Sequence, residues 1–101
     1  MPTIYKSKRQ RLNEGKRKER MQIYNTARWR ELRRIKFMND PLCEMCLKEG
    51  VATPADDVHH IQSFMIVDDL AQRKEIAFDY NNLMSLCDKC HQRMHNGHRP
   101  R

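Results

Sequence analysis

The sequence predicts a small α+β domain: two short strands and a helix, closed by a clip of four cysteines and preceded by a basic helical extension. Three observations carry this. Cys43 and Cys46 form one C-x2-C pair, and Cys87 and Cys90 form another. Trp29, Leu32, Ile35 and Phe37 or Met38 recur at helical intervals. The stretches "DVHHI" and "NNLMSL" read as strands, and "DKCHQRMH" after them reads as a helix.

In chain order, residues 1 to about 16 read as a disordered basic arm, with Pro2, Gly15 and almost no apolar pattern. A short helix is expected from Lys16 to Tyr24. Asn25 and Thr26 then supply an N-cap for an amphipathic helix from about Ala27 to Met38. Its polar face carries Arg28, Arg30, Arg33, Arg34 and Lys36. "NDP" at Asn39–Pro41 ends it, because proline cannot continue the ladder. "LCEMC" and a turn near Gly50 and Pro54 lead to "DVHHI", where Val58 and Ile61 are the apolar members. "DDLAQRKEIA" suits a short helix after an Asp68 cap. "DKCHQRMH" runs from about Asp88 to His95 and is stopped by Asn96–Gly97. The chain thus divides into a partly disordered arm (1–23), one domain (24–98) and a tail (99–101).

An apolar fraction of 39% in 101 residues, with 33% charged, means a small core, and small cores usually need a staple. Charge is segregated. Residues 1–36 hold 13 Lys/Arg against 3 Asp/Glu, and residues 37–101 hold 7 against 10, so the net +7 divides into +10 and −3. An excess this concentrated points to a polyanion, nucleic acid ahead of an anionic membrane. No apolar run approaches the roughly 18 residues of a membrane span, and the N-terminus lacks the apolar stretch of a secretory signal. A cytoplasmic location is expected, where paired cysteines bind metal more often than they form disulfides.

Two C-x2-C knuckles supply the four thiolates of a tetrahedral site, which suits structural zinc and leaves no open position for chemistry. A second constellation lies beside it. His91 and His95 are four apart and share a helix face, roughly 90° from Cys87 and Cys90 at about 100° per residue. His59 or His60 could supply a third imidazole, which would complete a catalytic divalent site with open water positions.

"VHHI", "NNLMSLC" and "CHQRMH", in that order and flanked by the C-x2-C pairs, resemble the HNH endonuclease family, the ββα-metal (His-Me finger) nucleases of zinc-knuckle type. The resemblance covers about Tyr24 to His95. The family usually has an Asp-His pair in the first element. Here His59-His60 stands in its place, similar to the colicin-type enzymes of the superfamily. Asn82 takes the place of the middle Asn and His91 that of the last His, while His95 falls where colicin-type enzymes carry a further metal-binding His. The basic leader and "YNTARWRELR" resemble small phage and prophage members linked to DNA packaging.

Neighbouring strand residues point to opposite faces, so adjacent histidines can do two jobs. The resemblance implies that His59 joins His91 and His95 around one divalent ion (Mg2+, Mn2+, Ni2+ or Zn2+). It gives His60 the role of general base on water, its ring facing solvent. An imidazole pKa near 6.5 suits that role. Asn82 would hold the loop carrying His60, or simply make an Asx turn, as Asn81 could. Arg28, Arg30, Arg33, Arg34 and Arg93 are the expected DNA contacts, made to phosphates without reading sequence. Trp29 is expected in the core beside Leu32 and the cysteine clip, and Met38, Met45, Met65, Met84 and Met94 as core fillers. The implied partners are DNA, no membrane, and a terminase or another packaging protein, with the chain a monomer or weak dimer. A non-catalytic zinc-knuckle DNA-binding module is the alternative; it accounts for the cysteines and the basic arm but not for the histidines with Asn82.

Overall fold

The computed structural model describes residues 7–94. Helix α1 (Lys8–Tyr24) starts at a reciprocal cap: Ser7 Oγ accepts from the Gln10 N–H at 3.1 Å, and Gln10 Oε1 accepts from the Ser7 N–H at 2.7 Å. The helix therefore begins well before Lys16, and from residue 8 the arm is helical. Straight-chain Lys, Arg, Gln and Glu lose little rotamer freedom in a helix, and this cap offsets the weak Gly15. Ile23 is the buried residue of α1.

Thr26 caps α2 (Ala27–Asn39) by accepting from the Trp29 N–H at 3.1 Å. The buried stripe is Trp29, Leu32 and Lys36, spaced i, i+3, i+7. Lys36, expected on the polar face, is only 5% exposed, and Met38, expected inside, is 67% exposed. Lys36 tolerates burial because its ammonium is partnered: it donates to Asp40 at 2.7 Å, lies 3.3 Å from Glu44 and sits over the Tyr80 ring. Glu44 also accepts from the backbone N–H of Ser85 at 2.6 Å. One lysine thus ties α2 to the first cysteine knuckle and, through Glu44, to the second strand. The knuckle itself is α3 (Glu44–Lys48), followed by Gly50 at φ 79°, a left-handed turn that only glycine adopts without strain.

Strands β1 (Asp57–His60) and β2 (Leu83–Leu86) pair antiparallel, with Asp57 opposite Leu86, Val58 opposite Ser85, His59 opposite Met84 and His60 opposite Leu83. Opposed residues share a face. Val58, His60 and Leu83 therefore meet a core formed with Ile23, Trp29, Phe64, Ala77 and Phe78. Asp57, His59, Met84 and Leu86 take the other face, where Met84 and Leu86 pack around the cysteines with Met45 and Met94. Trp29 thus packs away from the cysteine clip. Ile61 lies past the strand and is 55% exposed; three residues from Val58, it cannot share that residue's face.

Between the strands, α4 (Leu70–Ala77) is capped by Asp69, one residue later than expected, through the Gln72 N–H at 3.1 Å. Buried Arg73 donates to the Val67 carbonyl at 2.7 Å and reaches Glu19 at 3.4 Å, which docks α4 on α1. Helix α5 (Asp88–Gln92) follows β2 directly and packs on both strands. Among the described residues no helix is long and apolar enough to cross a membrane.

Candidate active site

Two sites share the hairpin. In the first, Cys43 precedes α3 and Cys87 precedes α5, each as the helix N-cap, while Cys46 and Cys90 lie inside those helices. All four Sγ atoms lie within 4.8 Å of one another, with Cys46 to Cys87 at 3.9 Å and Cys46 to Cys90 at 3.8 Å. Four thiolates about 2.3 Å from a tetrahedral ion stand about 3.8 Å apart, so the cage fits a metal ion of zinc's size. Its electrostatics ask for a cation. Burial raises the Cys43 thiol, yet the neighbouring backbone N–H groups of Cys87 and Cys46 and the adjacent thiols bring it down to about 6. Burial and the other three sulfurs push Cys90 up to about 12.

The second site is a groove of about 700 Å³ against β1, reached by Arg20 and Tyr24 of α1, Trp29 and Arg33 of α2, and His91 of α5. On the α5 face of the hairpin, His59 and His91 meet edge to face, ring centroids 5.4 Å apart. His91 Nδ1 lies 3.2 Å from Asp57 Oδ2. A carboxylate can only accept, so Nδ1 carries the proton and Nε2 is the ring nitrogen with a lone pair. Arg33 stands 3.9 Å from the other Asp57 oxygen, its guanidinium over Phe37. Asp57 was absent from the sequence-based site, although its position two residues before His59 on a strand puts it on that residue's face. Arg20 was absent too. His59 and His91 are imidazoles that could hold a first-row divalent ion, and the Asp57 carboxylate orients His91 from behind. His95 lies outside the described residues.

His60 points the other way. It is 8% exposed, stacked on Trp29 (4.8 Å between centroids, 26° between planes) and edge-on to Phe64. A ring open to solvent was expected; strand parity instead sends it to the Val58 face, where it forms part of the groove wall. Nε2 lies 2.9 Å from the Ala77 carbonyl, which fixes the proton there and leaves Nδ1 as the basic nitrogen of the neutral ring. Burial lowers its pKa, partly countered by that carbonyl.

Asn82 is a clamp. Its Nδ2 donates to the Gln62 carbonyl at 2.9 Å and the Ile76 carbonyl at 3.1 Å, and its Oδ1 accepts from the Gln62 N–H at 2.8 Å. It therefore joins the loop after His60 to the end of α4, next to the Ala77 carbonyl that His60 uses. The Asx-type turn nearby is made by Asp79, which accepts from the Asn81 N–H. Replacing Asn82 by alanine leaves these partners unmatched, and stability is expected to fall by about 1–3 kcal/mol in urea unfolding.

Of the arginines proposed for DNA, Arg33 lines the groove. Arg28 lies over Phe78, Arg34 donates to Glu31 at 3.1 Å, and Arg30 and Arg93 are exposed.

A family model described as HNH endonuclease matches residues 43–97. A crystal structure of the HNH endonuclease of the deep-sea thermophilic bacteriophage GVE2, with manganese ion, is similar at 32% identity and a TM-score of 0.65, covering 84% of this chain and 90% of that one. No curated protein matches.

Proposed function

This chain belongs to the HNH endonuclease family, and from that premise we propose that it nicks or cuts duplex DNA by hydrolysing phosphodiester bonds, with His60 as general base. The observation that carries this is the hydrogen bond between His60 Nε2 and the Ala77 carbonyl. It selects the tautomer whose Nδ1 can take a proton from water, on a ring that burial keeps neutral. Asn82 acts on the same pair through the segment it ties down. On the opposite face of β1, His59 and His91, with His95 beyond the described residues, would hold one divalent ion (Mg2+, Mn2+, Ni2+ or Zn2+). Such an ion supplies neutralisation of the leaving 3′-oxygen and of charge growing on phosphorus. The two faces of one strand thus serve the two sides of an in-line displacement, which is why His59 and His60 are adjacent.

The cysteine cage would hold structural zinc. Arg28, Arg30, Arg33, Arg34 and Arg93 would bind phosphates without reading bases. The manganese in the crystals of the GVE2 protein supports a divalent cofactor here, and the phage origin of that protein supports a role in a host cytoplasm; a place beside packaging proteins such as a terminase rests on the resemblance of the basic leader and "YNTARWRELR" alone. The chain would act as a monomer or weak dimer.

Supercoiled plasmid is the direct test. Nicking is expected with Mn2+ or Mg2+, to stop with EDTA and to return when the ion is restored. A chain that binds plasmid but never nicks it under any of these ions is the non-catalytic zinc-knuckle module instead.

A further inference from the structure

Helix α1 packs on the domain through its last turn and a half alone. Ile23 anchors its last turn, and Glu19 meets Arg73 of α4. Tyr24 packs on Trp29, His60 and Phe64, and the helix from Lys8 to Lys18 stands in solvent. Its charges are not evenly spread. At about 100° per residue, Arg9, Asn13, Lys16, Arg20 and Tyr24 fall on one ridge, spaced i, i+4, i+7, i+11, i+15, with Arg17 beside it. The two acids of the helix, Glu14 and Glu19, fall off this ridge on either side. The ridge ends in the candidate active site, because Arg20 and Tyr24 line the groove.

We propose that this ridge is a rail for the DNA backbone, leading out of the groove and gripping phosphates several base pairs from the scissile bond. From Arg9 to Arg20 the rise is about 16 Å, matching the axial length of roughly five base pairs of duplex. The charge is complementary, the ridge carries no acid, and it continues the surface that holds the cleavage chemistry. The inference rests on the nuclease reading but adds a contact that the groove does not contain. A rail of this kind fixes the course of the duplex and is blind to sequence.

The test compares two triple variants of equal charge. Arg9→Gln/Lys16→Gln/Arg17→Gln strips the ridge, and Lys8→Gln/Arg11→Gln/Lys18→Gln strips the rest of the helix. Glutamine keeps helix propensity, and circular dichroism checks that both remain helical. Binding of the full chain to a 30-base-pair duplex is followed by fluorescence anisotropy without added Mn2+ or Mg2+ and without chelator, over a range of salt. The ridge variant is expected to flatten the plot of log K against log salt by about 2 to 3, the value for three lost phosphate contacts, and the other variant by less than 1. Equal losses in both variants would reduce the effect to bulk charge and overturn the rail, as would no loss in either. Those results leave the nuclease reading standing; an unaltered chain that fails to bind duplex at all overturns both.

Discussion

His60→Ala is expected to slow DNA cleavage by about 10²- to 10⁴-fold, the usual contribution of a positioned general base. Single-turnover cleavage at saturating DNA is the measurement, since it isolates the chemical step. The substitution also empties a packed site. His60 lies against Trp29, Phe64 and Tyr24, so alanine should cost stability by about 2–4 kcal/mol through the cavity it leaves. A second variant separates these effects. His60→Gln refills much of the volume and can still donate to the Ala77 carbonyl, but it has no nitrogen that accepts a proton near neutral pH. It should fold nearly as well as the parent and cleave as poorly as the alanine variant. Parent-like cleavage by a folded His60→Gln would remove His60 from the base role.

The same burial sets a pH signature. Desolvation holds the His60 pKa below its ordinary value of 6.5, so the folded state binds its proton less readily than the unfolded chain does. As pH falls from 6.5 toward the folded value, the unfolded chain gains a proton that the folded one resists, and stability is lost over that window. Above 6.5 the ring contributes no such dependence. The acid limb of cleavage should likewise lie below the ordinary imidazole value, because the base stays unprotonated until then.

Strand parity and cysteine spacing made most of this architecture legible in advance. Each C-x2-C pair specifies its own local geometry, so the cage could be read without knowing what packs around it. Two adjacent histidines on a strand must diverge, so the division between His59 and His60 was legible as well. Which face was open was not. That depends on α2, whose Trp29 occupies the side to which His60 turns, and no periodicity within "DVHHI" reports what stands opposite. Lys36 failed for a related reason. Helical spacing placed a charged residue on the buried stripe, and residue type argued it off again; its partners, Asp40 and Glu44, lie beyond the helix. Asp57 was within reach of the same parity rule but carries no motif of its own. The length of α1 turned on the Ser7–Gln10 cap, hidden in a stretch whose charge reads as disorder.

Losing the metal of the cysteine cage should be as damaging as losing the base, by a different route. The apolar cluster around the cysteines has few members besides the sulfurs: Leu86 is its other buried residue, with Met45, Met84 and Met94 packed against it. Little else there opposes the entropy of ordering two knuckles. A domain of this size has only about 5–15 kcal/mol of total stability, while structural zinc contributes apparent binding energies of about 10–16 kcal/mol in small fingers. Cys43→Ser is therefore expected to cost more than about 4 kcal/mol, a fall in Tm of at least roughly 16 °C at 4–8 °C per kcal/mol, or to prevent folding altogether. Stripping the cage with a strong chelator should do the same, reversed by adding zinc. His59→Ala is the contrasting case: it should lose cleavage and bound manganese while melting within a few degrees of the parent. Its ring lies only partly buried at the groove. If Cys43→Ser melts like the parent, the cage is not what holds the fold, and α5, which carries both Cys90 and His91, must be seated by the hairpin alone.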